Sequence, residues 1–134
     1  MANFKSAILT TGSLTKTGTS EVTLIAPVDV QNEDRLSFQF YNANGTPSNK
    51  DTVKVYGRLA ATSGTLGAAS EWTQIGDDVE VSGSSSALKA ISTTGLYWVG
   101  VTVTPTAGSS TITHAMLRQA WVDGNFYVNY RWKY

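Results

Sequence analysis

The chain has 134 residues with 10 basic and 10 acidic side chains, so its formal net charge at neutral pH is zero. Without a basic field, neither nucleic acid nor an anionic membrane is an expected partner. There is no cysteine, which excludes disulfides, thiolate metal sites and cysteine nucleophiles. Charged residues make up 15% of the chain, below the roughly 25% typical of globular domains. We expect such a weakly charged surface to associate with other proteins.

The sequence shows neither a signal peptide nor a membrane span. The opening letters MANFKSAILTTG lack a charged start followed by a long apolar run. No run of eighteen apolar residues occurs anywhere in the sequence. Synthesis in a cytoplasm, without export by the general pathway, is therefore expected.

Alternation of apolar and polar residues recurs from end to end and predicts strands, because successive side chains of a strand point to opposite faces. No window shows the 3.6-residue period of a helix. Clusters of Gly, Ser, Thr and Asn separate the strands. The predicted strands cover residues 5–11, 21–26, 35–41, 52–61, 71–75, 87–92, 96–104, 112–122 and 126–133. The pattern predicts one all-β domain over residues 1–134, an antiparallel β-sandwich of eight or nine strands.

The alternation also predicts which side of each strand faces the core. One inward set is Leu36, Phe38 and Phe40. A second is formed by Val53, Val55, Gly57 and Leu59, and a third by Tyr97, Val99, Val101 and Val103. Trp98 is then expected on the outside or at a sheet edge. Residues 1–18 either pair within the sandwich or extend from it as an N-terminal arm, and the sequence leaves both open.

The C-terminal residues carry the strongest local signal, an Asp123-Gly124 pair between two alternating runs. Asp-Gly favours a two-residue hairpin turn, since both central residues need positive φ. The predicted register pairs Val122 with Asn125, Trp121 with Phe126, Gln119 with Val128, Leu117 with Tyr130 and Ala115 with Trp132. Residues 115–134 are thus predicted as an aromatic hairpin, which either closes this chain's own sandwich or docks on a neighbour.

No set of residues points to catalysis or to a cofactor. His114 is the only histidine, and no G-x-S-x-G motif accompanies it. The acidic run Asp77, Asp78 and Glu80 suits a calcium ion, but a plain hairpin turn explains it equally well. We therefore expect a non-enzymatic protein without a bound metal or cofactor.

The tryptophans support a second interpretation of the chain. Trp72 and Trp98 are candidates for stacking on sugar rings if they are exposed. Ordinary packing is the competing explanation, because each ring buries about 150–250 Å². The alternative function is accordingly a carbohydrate- or receptor-binding module of a fibre or tail.

Four stretches carry a resemblance to a known class of proteins: VKVYGRL, EWTQIGDDVEVSG, TTGLYWVGVTVTPTAGSS and the aromatic C-terminus. In layout and composition the chain resembles bacteriophage virion structural proteins, in particular small head decoration, or cement, proteins. The resemblance implies a β-sandwich of jelly-roll type on the outer surface of the phage head. It further implies contacts with the major capsid protein or another virion protein, and a homo-oligomer, with a trimer favoured.

The C-terminal hairpin supplies the candidate interface. Aromatic and arginine side chains anchor most protein–protein contacts, and this segment combines both. A cationic stripe on one face of the hairpin suits an acidic partner surface. The expected interface residues are Arg118, Trp121, Phe126, Tyr130, Arg131, Trp132, Lys133 and Tyr134.

Overall fold

The computed structural model describes residues 2–60, 62, 64–66, 71–106 and 109–123, with side chains from residue 8 to residue 120. These residues form nine strands in two antiparallel sheets and no helix, which confirms the predicted all-β sandwich. Accordingly, no helix that could cross a membrane occurs among them. The strands are β1 (Ala2–Thr17), β2 (Val22–Asp29), β3 (Arg35–Asn42), β4 (Asp51–Arg58), β5 (Thr73–Gln74), β6 (Val79–Val81), β7 (Ser85–Ser92), β8 (Trp98–Pro105) and β9 (Ser109–Asp123).

The chain passes repeatedly from one sheet to the other. Sheet A has the strand order β1-β9-β3-β7, and sheet B has the order β2-β8-β4-β5, with β6 also paired to β4. Apart from β4, β5 and β6, which all lie in sheet B, consecutive strands belong to opposite sheets. This is the double Greek-key winding of a jelly roll, in which most neighbouring strands of a sheet are distant in sequence.

The core lies between the sheets and consists of the alternating residues that the sequence predicts. Leu36, Phe38 and Phe40 are at most 1% exposed, and the two phenylalanine rings stack with centroids 5.8 Å apart. The valines of β4 and β8 face them from sheet B and are equally buried. Among the predicted inward residues, Tyr97 is only half-buried and Leu59 is exposed. Leu59 lies just beyond the end of β4 and is 71% exposed.

Strand β1 is longer than predicted and settles where the N-terminal residues lie. It pairs with β9 in sheet A and continues to Thr17, through a stretch predicted as a turn. Gly12, a turn signal in the sequence, lies opposite His114 within the ladder. A Cβ atom at Gly12 would stand 2.6 Å from Cε1 of His114, so this glycine makes room for the imidazole.

The predicted register of the C-terminal hairpin is wrong for Ala115 and Leu117. Ala115 pairs with Thr11 of β1 on one side and with Gln39 of β3 on the other. Leu117 is likewise enclosed between the same two strands. A strand has two hydrogen-bonding edges, so neither residue can accept a third partner. The second half of the hairpin, residues 124–134, lies outside the described residues.

Candidate protein-binding face

The outer side of sheet A is a continuous surface built from all four of its strands. Because the even-numbered residues of β3 fill the core, its odd-numbered residues point outward, and the ladders align them with outward residues of β1, β9 and β7. Arg35, between Gln119 and Ser92, lies in the row at one end of this surface. We call the twelve side chains of the next three rows the uncharged face. Its three rows are Leu9–Leu117–Ser37–Ala90, Thr11–Ala115–Gln39–Leu88 and Ser13–Thr113–Tyr41–Ser86.

None of these twelve side chains carries a charge. Leu88 is 77% exposed and Leu9 65%, at the two opposite edges of the sheet. Tyr41 is 40% exposed, and the hydroxyl and amide groups between these three can donate and accept hydrogen bonds. An apolar and hydroxyl-bearing surface of this kind provides neither a nucleophile with a base nor a metal site. It suits contact with another protein, because no ion has to be desolvated.

His114 lies beneath this face rather than on it. Its ring stands on the inner side of β9 between Gly12 and Phe40, which are its neighbours on β1 and β3. Nδ1 is buried, and no hydrogen-bond partner for it occurs within the described residues. Burial lowers the pKa of His114 below 6.5 because the charged imidazolium is poorly solvated there.

The outer side of sheet B is covered in part by the chain's own β4–β5 connection. Leu66 from that connection rests on Gly100 of β8, where an added Cβ would lie 2.6 Å from Cδ1 of the leucine. The connection is held further by Nε1 of Trp98, which donates to the carbonyl oxygen of Ala60 at 3.1 Å. Nη1 of Arg58 also donates to Oε1 of Glu71 at 2.7 Å.

Next to this cover, the outer side of sheet B carries ionisable groups that bind each other. Oε2 of Glu21 accepts hydrogen bonds from Oγ1 of Thr102 at 2.6 Å and from the hydroxyl of Tyr56 at 3.1 Å. Burial, and then the neighbouring carboxylate of Glu21, raise the pKa of Tyr56 above 10. Lys50 and Glu80 form an ion pair at 3.4 Å on the same sheet. These groups face water or one another.

Arg118, expected at the interface, is bound within its own molecule. Its Nε donates to Oε1 of Glu33 at 2.7 Å, and Nη2 donates to the same oxygen and, at 2.6 Å, to the carbonyl of Asp29. The Arg118 side chain is 25% exposed and that of Glu33 10% exposed. The arginine points to the inner side of β9, as Met116 does, and fastens β9 to the β2–β3 turn.

The other predicted interface residues are not brought together by the described structure. Trp121 lies in β9, opposite Phe4 of β1, and its side chain is outside the described part. The remaining predicted residues, Phe126, Tyr130, Arg131, Trp132, Lys133 and Tyr134, also lie outside it. No contact is therefore assigned to any of the seven.

The two tryptophans considered for sugar stacking are unevenly placed. Trp72 is 4% exposed, and the guanidinium of Arg58 stands 6.0 Å from its ring centroid, so the ring has no open face to offer. Trp98 is half-buried, with its ring 6.1 Å from that of Tyr97 and its nitrogen bound to Ala60. This geometry gives no groove lined by exposed rings.

The acidic residues do not gather into a metal site among the described residues. Oδ1 of Asp78 accepts a hydrogen bond from Gln74 at 2.6 Å, and the backbone carbonyl of Asp77 accepts one from Lys89. Asp51 is buried elsewhere, and the two oxygens of its carboxylate share the hydroxyl proton of Ser110, with Oγ at 3.1 and 2.8 Å. Burial raises the pKa of Asp51 above 3.8, and the serine opposes that rise.

The uncharged face was not recognisable from the sequence, although one signal pointed toward it. The outward residues of β1 and β9 are Ser, Thr, Ala and Leu, which are typical both of exposed strands and of loops. The signal was the absence of any charge at alternate positions from Ser109 to Gln119. Its meaning depends on which strands lie side by side, and that requires the strand order.

Comparisons with known proteins find structural neighbours of this chain but no relative in sequence. No protein-family model matches the chain, and no curated protein matches it in sequence. A Yersinia pseudotuberculosis-derived mitogen shares 13% identity over 84% of this chain and 86% of its own, with a TM-score of 0.49. A protein of the disulfide-linked pili known as Bacillus endospore appendages shares 15% identity over 89% and 93%, with a TM-score of 0.46.

A third solved structure comes from a phage. A chain from the acid-stable capsid of Helicobacter pylori bacteriophage KHP30 shares 8% identity over 92% of this chain and 99% of its own, with a TM-score of 0.39. The structural neighbours thus include a phage capsid protein and a pilus protein. With every TM-score below 0.5, none of these likenesses assigns a function or a partner to this chain.

Proposed function

We propose that this chain is a non-enzymatic structural protein of a bacteriophage particle, and that it decorates the outer surface of the head. In this role it is a single domain over residues 1–134 that binds the major capsid protein or another virion protein. It acts as a homo-oligomer, with a trimer favoured. The observation that carries the proposal is the uncharged face of sheet A, together with the resemblance to head decoration proteins in layout and composition.

The face fits that role energetically. A stable protein contact buries about 800 Å² on each partner, and its centre is usually depleted of charge. The uncharged face offers four strands of apolar and hydroxyl side chains without an ion to desolvate. A protein that binds the assembled lattice and not its separated subunits stabilises the lattice by mass action. Decoration therefore requires a rigid binding surface and no chemistry.

The architecture is compatible with this proposal without deciding it. Jelly rolls occur in viral capsid proteins and in lectins, so the fold alone does not choose between these classes. The burial of Trp72 removes one of the two rings on which sugar binding would depend. We therefore propose contact with protein and not with carbohydrate.

Cosedimentation with phage heads that lack this protein tests the proposal. Ala115→Glu places one carboxylate at the middle of the uncharged face, on a central strand of sheet A. Burying that unpaired charge in a contact should weaken binding by roughly thirtyfold or more, since it costs about 2 kcal/mol or above. Thr104→Glu is the matched control, because it adds the same charge to the outer side of β8, a central strand of sheet B.

We expect the unchanged protein and Thr104→Glu to bind the heads equally, and Ala115→Glu to remain in the supernatant. Circular dichroism confirms that both variants are folded. Equal binding by all three proteins would rule out the uncharged face as the contact. Failure of the unchanged protein to bind any head or virion protein would contradict the proposed function itself.

A further inference from the structure

The described residues form two open sheets, and an open sheet ends in strands with unpaired backbone groups. Such edges attract other strands, and soluble proteins blunt them with prolines, bulges, inward-pointing charges or short strands. Strand β2, at one edge of sheet B, carries Pro27 and two register shifts, between Thr23 and Ile25 and between Ile25 and Val28. It is therefore a poor template for a further strand.

The other edge of sheet B and one edge of sheet A are also blunted. Strands β5 and β6 contain two and three residues, too few to hold an added strand. On β7, Lys89 points to the inner side in line with Ile91 and Ala87. Its Nζ donates to the backbone carbonyl of Asp77 at 3.1 Å, so the ammonium group of Lys89 stands on the inner side of the edge strand β7.

Between Ile8 and Leu14 the edge of β1 has none of these devices, and its one register shift lies before this stretch, between Lys5 and Ile8. From Ile8 to Thr17 the strand pairs with β9 in unbroken register and contains neither proline nor bulge. The charged residue from Ile8 onward is Lys16, which points to the inner side near the end of the strand, and its Nζ donates to the carbonyl of Thr17 at 3.1 Å. No other strand of the described residues lies beyond β1. Ile8 and Leu9 are 52% and 65% exposed there, so the open edge is also apolar.

We propose that this edge of β1 accepts residues 125–133 of a second copy of the chain as an additional antiparallel strand. This contact forms the homo-oligomer of the proposed function. The inference therefore rests on that function and adds the place where two copies touch. The contact is separate from the uncharged face, because it uses the edge of sheet A and not its outer side.

The length and pattern of the C-terminal segment fit this edge. Nine extended residues span about 30 Å, and the ten residues from Ile8 to Thr17 span about 34 Å. Residues 125–133 alternate apolar and polar side chains, as a strand with one covered side does. Its apolar set, Phe126, Val128, Tyr130 and Trp132, matches the side of β1 that carries the half-buried Leu14 and the exposed Ile8.

The direction of the strands favours a second copy over the chain's own C-terminus. Strand β9 runs antiparallel to β1, so a segment that turned back after Asp123 would run in the same direction as β1. Pairing with its own β1 would then be parallel, whereas every strand pair in the described residues is antiparallel. A segment from a neighbouring molecule can approach in either direction and thus continues the antiparallel sheet.

Light scattering on the purified full chain, without any phage component, gives the first test. Thr10→Lys copies onto β1 the inward-pointing charge that Lys89 provides on β7, and it leaves all twelve residues of the uncharged face intact. Ser85→Lys adds the same charge to the inner side of β7, an edge that is already blunted, and it also leaves the uncharged face intact. We expect oligomers from the unchanged chain and from Ser85→Lys, and monomers from Thr10→Lys and from Val128→Pro, which interrupts the donated strand.

Amide hydrogen exchange locates the contact. In the oligomer, every second amide between Ile8 and Thr17 should exchange at least tenfold more slowly than in the Thr10→Lys variant. An excess of a peptide with the sequence of residues 124–134 should compete for the edge and convert the full-chain oligomer to monomers.

A monomeric full chain, or oligomers that survive both Thr10→Lys and Val128→Pro, would overturn the proposal. So would protection confined to β2 or β7. These results are independent of binding to phage heads. Oligomers of the expected kind that do not bind heads would contradict the proposed function but not the added strand at β1. A chain that binds heads but does not form such oligomers would contradict only the added strand.

Discussion

The outer sides of the two sheets differ although the strands beneath them have the same geometry. On sheet B, Leu66 covers Gly100, and Glu21 and Arg58 bind partners within the same chain. On sheet A, three complete rows of side chains have neither a charge nor a covering segment among the described residues. A surface that serves only solubility carries charges of both signs. This contrast is the basis for the proposal that sheet A meets another protein.

The two surfaces also differ in what their outer side chains stabilise. Sheet B uses its outer residues for contacts within the molecule, which contribute to folding. The uncharged face contributes little to folding beyond its backbone ladders, so its side chains are free to be selected for a partner. Substitutions on the two sides should therefore separate stability from binding.

The largest effect on stability is expected from replacing Arg118. This replacement tests whether the arginine binds a partner or stabilises the fold of its own chain. Arg118→Met keeps an unbranched apolar stem and removes three hydrogen bonds to Glu33 and Asp29. Because Glu33 would stay largely buried without its cation, unfolding should become easier by about 2–3 kcal/mol. Urea denaturation followed by fluorescence measures the change.

The matched variants are Glu33→Gln and the double variant. If the ion pair is the cause, the two single losses should not add, and the double variant should be about as stable as the weaker single variant. Binding to phage heads should be unchanged once each protein is folded. Loss of binding without loss of stability would instead indicate that Arg118 contacts the partner, as the sequence suggested.

A smaller effect distinguishes the covered outer side from the uncovered one. Gly100→Val on β8 puts a side chain where Leu66 rests, and the displaced leucine should cost about 1–2 kcal/mol of stability. Ala115→Val on β9 enlarges a residue that no described side chain covers, so stability should change by no more than about 0.5 kcal/mol. Thermal unfolding of the two variants in one buffer gives the comparison.

Valine is favourable in strands, which makes the experiment stringent. If the two variants lose equal stability, sheet A's outer side is as covered as that of sheet B, and the contrast between the faces fails. An Ala115→Val protein that remains stable but binds phage heads more weakly would instead support the proposed contact.

The sequence predicted the core well, because burial imposes alternation on each strand independently of its neighbours. Phe38 and Phe40 in β3, and Val99, Val101 and Val103 in β8, lie inward as expected. Local spacing suffices for such residues. It also gave the class of fold, since short strands with Gly- and Ser-rich turns have few other ways to bury their apolar sides.

The sequence did not predict features that depend on distant partners. Gly12 and Ser13 resemble a turn, but β9 pairs with them over a separation of about a hundred residues and extends the strand to Thr17. Leu117 was assigned to a local hairpin, whereas β3 occupies that edge of β9. The uncharged face needed the order β1-β9-β3-β7, which no local pattern contains.

The smallest effect concerns His114, the only histidine, which lies on the inner side of sheet A and has no counterpart in sheet B. Since burial lowers its pKa in the folded state, the unfolded chain binds a proton more readily just below pH 6.5. Stability should thus decrease as the pH falls through this window. His114→Phe keeps the ring beside Gly12 without a titrating group, so its stability should vary less with pH over the same range.

The effect of Asp51 on the pH dependence of stability has the opposite sign. Because burial raises its pKa in the folded state, the folded protein binds a proton more readily than the unfolded chain just above pH 3.8, and stability rises as the pH falls toward that value. Asp51 is present in both proteins, so the difference between their urea midpoints at pH 7.5 and pH 5.5 isolates His114. A difference that does not change with pH would mean that the imidazole becomes protonated as easily in the fold as in water. In that case His114 is reached by water, and β1 does not seal the inner side of sheet A at Gly12.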